Sequence, residues 1–475
     1  MKRILVFVLL LALMLSLCGC GTVDPNAADS SDADAKGADS DTPAWLKAEA
    51  VELPEPEAPA SEEKTSGDFR FVLLADGTAR ITKYTGSDAE PAIPEELEGA
   101  KVAEIGETAF SANEKLTAVV LPEGVKRIGK HAFSGCENLT SVTIPDSVTI
   151  VDANPFINSK NLTEVTLSPD HPALAVVNHA LYSKADKRLV WFPMTGAGTV
   201  CNISPGIETI GEMAFYWCEY LGSVTIPDSV RRIDNSAFYV CKSLRNVKIP
   251  DSVTSIGANA FYWCTGLQTV EIPDSVTEIE GGAFCNCTSL TGVVIPDSVT
   301  SIGNMAFAYC ERLKDITIPG TVAHIGEKTF ADCTRLQSVT LQSGVTGIAA
   351  LMFLECAALE NVAIPDSVTS IGDYAFESCD SLTTLTIPGS VTYIGKGAFE
   401  KCKGLTSMMI PEGVTELGES AFYKCENLES VTLPESLTVI GNAAFAKTGK
   451  LTITVPRGSY AEQYCEKYKL NCINP

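Results

Sequence analysis

The sequence predicts a repeat solenoid, a chain wound into stacked turns, and three observations carry that prediction. A 23-residue unit recurs almost without error: one copy reads Ile249-Pro250-Asp251-Ser252-Val253-Thr254-Ser255-Ile256-Gly257, then Ala260-Phe261, Cys264, Leu267 and Val270, and returns at Ile272-Pro273. Phe holds one register at 110, 133, 156, 215, 238, 261, 284, 307, 330, 353, 376, 399, 422 and 445. The apolar positions of a unit fit neither one helical stripe nor a long strand, so each unit can bury them only against its neighbours.

Within a unit the elements follow in order. The stretch Val270-Glu271-Ile272 alternates apolar and polar as a half-buried strand does. Pro273 ends it, having no N–H for a ladder, and Asp274-Ser275 supplies turn chemistry. The Ile256-Gly257 step predicts a tight bend into an irregular or short helical turn. Each unit is therefore one short parallel strand plus a return, with the Phe column filling the space between.

The pattern Ile-Pro-Asp-Ser-Val-Thr-x-Ile-Gly-x-x-Ala-Phe-x-x-Cys-x-x-Leu-x-x-Val resembles the leucine-rich repeats of BspA-like bacterial surface proteins. On that resemblance residues 93–455 form a leucine-rich-repeat solenoid of fourteen units. Asp68-Phe69-Arg70-Phe71, Asp76-Gly77-Thr78-Ala79 and Tyr84-Thr85-Gly86 resemble the family's N-terminal hairpin, which makes residues 67–92 a β cap. The segment from Val455 to Glu462 resembles its C-terminal cap, residues 456–475, in which Ser459 N-caps a short helix reaching Tyr468. One interruption breaks the register: the unit after Leu167 restarts at Ile203 and is 36 residues long. Ala180-Leu181-Tyr182-Ser183 and Leu189-Val190-Trp191-Phe192-Pro193, flanking a charged tip at 184–188, predict a β-hairpin inside an insertion at about 168–202. That hairpin is either an interaction arm or a local cover for a repeat junction.

The N-terminus reads as an address. Lys2 and Arg3 precede an apolar stretch at 4–17, too short to span a bilayer comfortably. It runs into Leu17-Cys18-Gly19-Cys20, which resembles the lipobox of bacterial lipoprotein signal peptides. The resemblance implies that residues 1–19 are a signal peptide, cleaved after Gly19, and that Cys20 is acylated. Residues 20–66 then read as an acidic, extended tether: between 21 and 66 stand twelve Asp or Glu against three Lys, with too few apolar residues to repay ordering. The expected location is the bacterial cell surface, anchored by lipid, with the folded part outside the cytoplasm.

A formal charge of -24 argues against nucleic acid and against adsorption to anionic lipid, leaving the N-terminal lipid as the expected membrane contact. The four His, at 131, 171, 179 and 324, show no metal-binding spacing. No nucleophile elbow or phosphate loop appears, and no pair of carboxylates stands out as acid and base, so no enzyme, cofactor or metal is expected. Eleven cysteines recur three residues after the repeat Phe. Neighbours in such a column point the same way, which suits buried thiols rather than bridges. Cys465 and Cys472 lie off the column, where a bridge is plausible, and Cys201 and Cys285 are off register.

What breaks the period is aromatic. Tyr216-Trp217, Tyr239, Tyr262-Trp263 and Tyr309 stand just before ladder cysteines, and Trp191 lies in the insertion. In stacked repeats these residues predict one cluster, which either makes contact with a partner or packs against the hairpin and covers it. Outward strand positions are small and polar, such as Ser223, Asn246 and Thr269. The resemblance implies adhesion to host or neighbouring-cell proteins. The alternatives are glycan binding through the aromatic cluster and a structural envelope spacer.

Overall fold

The computed structural model describes residues 43, 46, 49–196 and 198–475. The signal peptide, Cys20 and the first part of the tether lie outside the described residues. Most units contribute a strand of three or four residues whose central side chain points inward between exposed flanks, as in Asn246–Lys248 and Thr269–Glu271. Successive strands pair in parallel and in register, Val247 opposite Val270 and Val270 opposite Val293. A second ladder, which sequence reading left inside the return, runs alongside it. Two-residue strands such as Arg232–Ile233 and Ser255–Ile256 pair in parallel through their Ile residues.

The return is irregular rather than helical. Asn259 and Trp263 adopt left-handed backbone, with φ of 56° and 60°. The effect is to split the amides into two sets. Ala260, Tyr262 and Cys264 donate to Gly257, Asn259 and Phe261 within the unit, at 3.0–3.2 Å. Asn259, Phe261 and Trp263 donate to Gly281, Ala283 and Cys285 of the next unit, at 2.8–2.9 Å. Backbone polar groups buried at the return are thereby satisfied without secondary structure that a propensity scale would recognise.

The Phe rings form the expected column, stacked at 4.7 Å for Phe215 and Phe238 and at 5.4 Å for Phe284 and Phe307. Beside it, the column thiols donate to the Phe carbonyl of the preceding unit, Cys264 Sγ to Phe238 O at 3.1 Å and Cys402 Sγ to Phe376 O at 3.0 Å. Where Ser159 replaces cysteine, its hydroxyl makes the same bond to Phe133 O at 2.6 Å. Every cysteine among the described residues is a free thiol, including Cys465 and Cys472 in the C-terminal cap.

Both caps are present. Strands Lys64–Ser66, Phe69–Leu73 and Ala79–Tyr84 form an antiparallel meander whose last strand pairs in parallel with Ala100–Ile105. The cap thus begins before residue 67. The segment ahead of it, read from composition as free tether, lies along the solenoid. Leu46 is buried, Val51 N donates to Ala185 O at 2.6 Å, and Ala60 N donates to Leu73 O at 2.8 Å. At the far end the helix Tyr460–Tyr468 begins where Ser459 Oγ accepts from Glu462 N at 3.2 Å and ends at left-handed Lys469.

The insertion is a three-stranded antiparallel meander, Leu174–Val177, Ala180–Ser183 and Arg188–Trp191. Its second and third strands are buried on both faces, whereas the first is an edge strand with Leu174 buried and Val176 exposed. Ala180, Tyr182, Leu189 and Phe192 belong to the large C-terminal core, whereas Leu181, Val190 and Trp191 belong to the N-terminal one. Of the two readings, junction cover is the one that fits: the meander is a partition between two cores, and it projects no arm. Its charged tip is docked, with Arg188 donating to Val151 O and Asp152 O and Lys187 paired to Glu208 at 2.8 Å.

Candidate functional site

The aromatic residues that break the period fall into two columns on the return. The position after the repeat Phe carries Tyr216, Tyr239 and Tyr262, stacked face to face at 5.1 Å with 5° between successive planes. Each sits over the next because inter-unit hydrogen bonds hold the returns in strict register. The column then becomes apolar, with Cys285, Ala308 and Ala331 in a satellite cluster edged by Tyr262 and Leu354. The next position carries Trp217, Val240, Trp263, Asn286 and Tyr309, all in left-handed backbone. Val240 is buried between the two half-buried indoles' units, and Tyr309 is exposed.

The Tyr hydroxyls are neutral donors at ordinary pH. Burial pushes Tyr262 up to about 12 and raises Tyr216, Tyr239 and Tyr309. Tyr309 meets Asp332, itself raised by burial. Trp217 packs at 5.9 Å from Tyr216 and has the Lys242 ammonium 5.8 Å from its ring. Lys242 is in turn paired with Glu219 at 2.6 Å.

The structure therefore brings Tyr216, Trp217, Tyr239, Tyr262, Trp263 and Tyr309 together as one ridge, but not Trp191. That residue is 2% exposed and meets Phe156 edge-on at 5.5 Å, so it is corrected to a core residue. It fills the gap that the insertion opens in the Phe column, while its neighbour Phe192 packs against Phe215 at 5.1 Å with the rings tilted. Sequence reading missed Tyr220, which is 64% exposed beside the ridge. The signal was available: two residues after the column cysteine, other units carry Asn, Ser, Gly, Arg or Ala.

The outward face of the three-residue strands is mostly small and polar, as expected, with isolated exceptions at Val120, Val200, Val294 and Met409. A second feature lies beside the insertion. A polar cavity of about 1080 Å³ is lined by Arg80, Arg127, Asp152, Arg188, Glu208 and Asp234 and covered by residues 50–56. Ion pairs line it: Arg80 pairs with Glu104, Arg127 with Asp152 and Arg232 with Asp234, and carboxylates outnumber cations along its wall. Among the described residues no group of His, Cys, Asp or Glu could hold a metal ion, and no helix is long and apolar enough to cross a membrane.

The family profile described as "BspA type Leucine rich repeat region" matches residues 98–183, 198–312, 254–360 and 346–467. A leucine-rich repeat protein from Bacteroides ovatus, solved as a crystal structure, is similar at 26% identity and a TM-score of 0.56, over 83% of this chain and 100% of that one. A leucine rich cell surface protein from Faecalibacterium prausnitzii is 28% identical, with a TM-score of 0.43, over 85% of this chain and 97% of that one. A leucine-rich repeat protein from Eubacterium ventriosum is 22% identical, with a TM-score of 0.39, over 70% and 93%. No curated protein gives a significant match.

Proposed function

The chain belongs to the BspA-type leucine-rich repeat family, and on that premise we propose that it is a bacterial surface protein, lipid-anchored at Cys20, whose solenoid binds an extracellular protein of a host or neighbouring cell. The proposed role is that of a scaffold for binding rather than a catalyst. The observation that supports a local contact is the ridge of Tyr216, Trp217, Tyr239, Tyr262, Trp263 and Tyr309. Aromatics on one rigid flank are pre-organised, so a partner that buries them loses little conformational entropy.

Ring geometry favours a protein over a glycan as the partner. The three stacked tyrosines spend their faces on one another and present edges and hydroxyls, whereas sugar stacking needs an open π-face. Lys242 already stands over Trp217. What remains suits the mixed apolar and hydrogen-bonding contact of a protein interface.

The test uses the mature chain, residues 20–475 with Cys20→Ser, which lacks both the apolar leader and the lipid, screened against matrix proteins and a glycan array. Trp217→Ala with Trp263→Ala should weaken capture of a protein hit by roughly 30-fold or more, as loss of two interface anchors does. Loss of sugar binding with protein capture intact would establish the glycan reading instead. Binding unchanged by both substitutions would leave the ridge without a role.

A further inference from the structure

The insertion repeats the architecture of the N-terminal cap, with shorter second and third strands. Each is a three-stranded antiparallel meander with a register irregularity in its second hairpin, between Arg70 and Phe71 in one and between Leu181 and Tyr182 in the other. Each last strand pairs in parallel with the first ladder strand of the array that follows, Ile81 with Ile105 of the six-residue strand Ala100–Ile105 and Leu189 with Ile210 of the two-residue strand Thr209–Ile210. Ile81 O accepts from Gly106 N at 2.8 Å, and Leu189 O accepts from Gly211 N at 3.0 Å. Tyr84 N donates to Ala109 O at 2.7 Å and stacks on Phe110 at 5.2 Å. Phe192 N donates to Ala214 O at 2.9 Å and packs against Phe215 at 5.1 Å with the rings tilted by 40°.

At the same place every ladder stops. The sheet of three-residue strands ends at Glu164–Thr166 and restarts at Val200–Asn202, and the two-residue ladder ends at Ile150–Val151. On the return, Phe156 N turns to its own unit's Asn154 Oδ1 at 2.8 Å instead of reaching a following carbonyl. Among the described residues no backbone hydrogen bond joins 64–170 to 174–475. Side chains bridge the joint: Arg188 to Val151 O and Asp152 O, Asn154 to Met213 O at 2.7 Å, and Lys130 to Glu212 at 2.8 Å. Elsewhere one sheet or the other is interrupted, but the core and the return ladder continue, as through Tyr309 N to Ala331 O.

We propose that the meander at 174–191 is an internal N-terminal cap, and that the chain is two solenoids in tandem, each begun by its own β cap. Coupling along a solenoid comes from the interface between neighbours. At this joint that interface is the apolar face of the meander, where Leu181, Val190 and Trp191 close the N-terminal core, together with a polar cavity and a few side-chain bonds. The strap of residues 50–56 also touches both sides, through Val51 N to Ala185 O and Arg127 to Pro54 O. Among the described residues no ladder hydrogen bond crosses the joint. The two arrays therefore unfold independently, and the array bearing the aromatic ridge stays folded when the N-terminal array opens. This holds whether or not the ridge binds a partner.

Amide hydrogen exchange read by mass spectrometry on the full chain tests it. Phe133→Ala should speed exchange across residues 100–165 by roughly 100-fold or more while residues 210–450 stay within about twofold of the parent. Phe284→Ala should do the reverse. Comparable acceleration on both sides of the joint, from either variant, overturns the proposal. Ile128→Val and Ile302→Val repeat the comparison with a milder shift of roughly 3- to 10-fold, should an alanine variant not fold.

Discussion

Replacing Arg127 by Met isolates the energetics of the buried ion pair beneath the strap. Arg127 and Asp152 lie 3.3 Å apart, with side chains only 6% and 19% exposed. At an effective dielectric of 20 their attraction is about 5 kcal/mol, most of it offset by the desolvation of both groups. The offset is visible in Asp152, whose carboxyl is raised by burial despite the lowering pull of Arg127 and Arg188. Methionine fills similar space but leaves that carboxylate buried with Arg188 alone, and it removes the bond from Arg127 Nη2 to Pro54 O. Breaking a buried pair on one side costs about 3–5 kcal/mol. The sign with pH follows from linkage: a carboxyl raised in the folded state binds more protons folded than unfolded, so it favours folding more as pH falls. Arg127→Met should therefore cost most near pH 8 and less near pH 5, and adding Asp152→Asn should recover most of the loss. The assay is the exchange stability of amides in residues 100–165 at the two pH values. A cost below about 1 kcal/mol, the usual worth of an exposed pair, or one indifferent to pH and to Asp152→Asn, refutes the reasoning.

Two further outcomes follow from buried titratable groups. Burial pushes the Cys136 thiol up to about 11 and Cys425 to about 12, and raises Cys310 and Cys379 further, so none can supply thiolate at neutral pH. Iodoacetamide at pH 8 should leave these thiols unmodified in the folded chain and alkylate them after denaturation; native labelling as fast as that of part-exposed Cys472 would contradict the burial argument. His171 is held neutral, because Nδ1 accepts from Ala173 N at 3.3 Å and Leu174 N at 3.0 Å while Nε2 lies 3.0 Å from Pro145 O. Burial lowers its pKa below 6.5, so its contribution to stability is complete above that value and declines as pH falls below it. Thermal melts between pH 7.5 and 5 should show this decline, and His171→Gln should flatten it; an unchanged slope in the variant would assign the acid sensitivity elsewhere.

The parts of the fold legible in the sequence are those set by contacts one unit apart. Period, strand position, the Phe and Cys columns and both caps each repeat a local rule, and a misplaced residue in any of them stands out. The return was harder, because its amides are satisfied by the neighbouring turn through left-handed residues such as Asn259, Trp263 and Val240, which no propensity announces. The site was legible only as a list of aromatics. Trp191 and Trp217 look alike in the sequence, yet one fills the Phe column and the other lies half-open on the return.

The 23-residue repeat thus determined by itself that the chain is a solenoid, what fills it, and where its regularity fails. Only the tertiary structure decided what the failures do. A hairpin pattern specifies two faces of side chains but not what covers them, and here both faces meet core. An acidic segment low in apolar residues specifies little order alone, yet Arg127 and Ala185 offer it partners distant in sequence. Burial is a property of what arrives from elsewhere in the chain, and so the boundary between core and contact surface could be drawn only after folding.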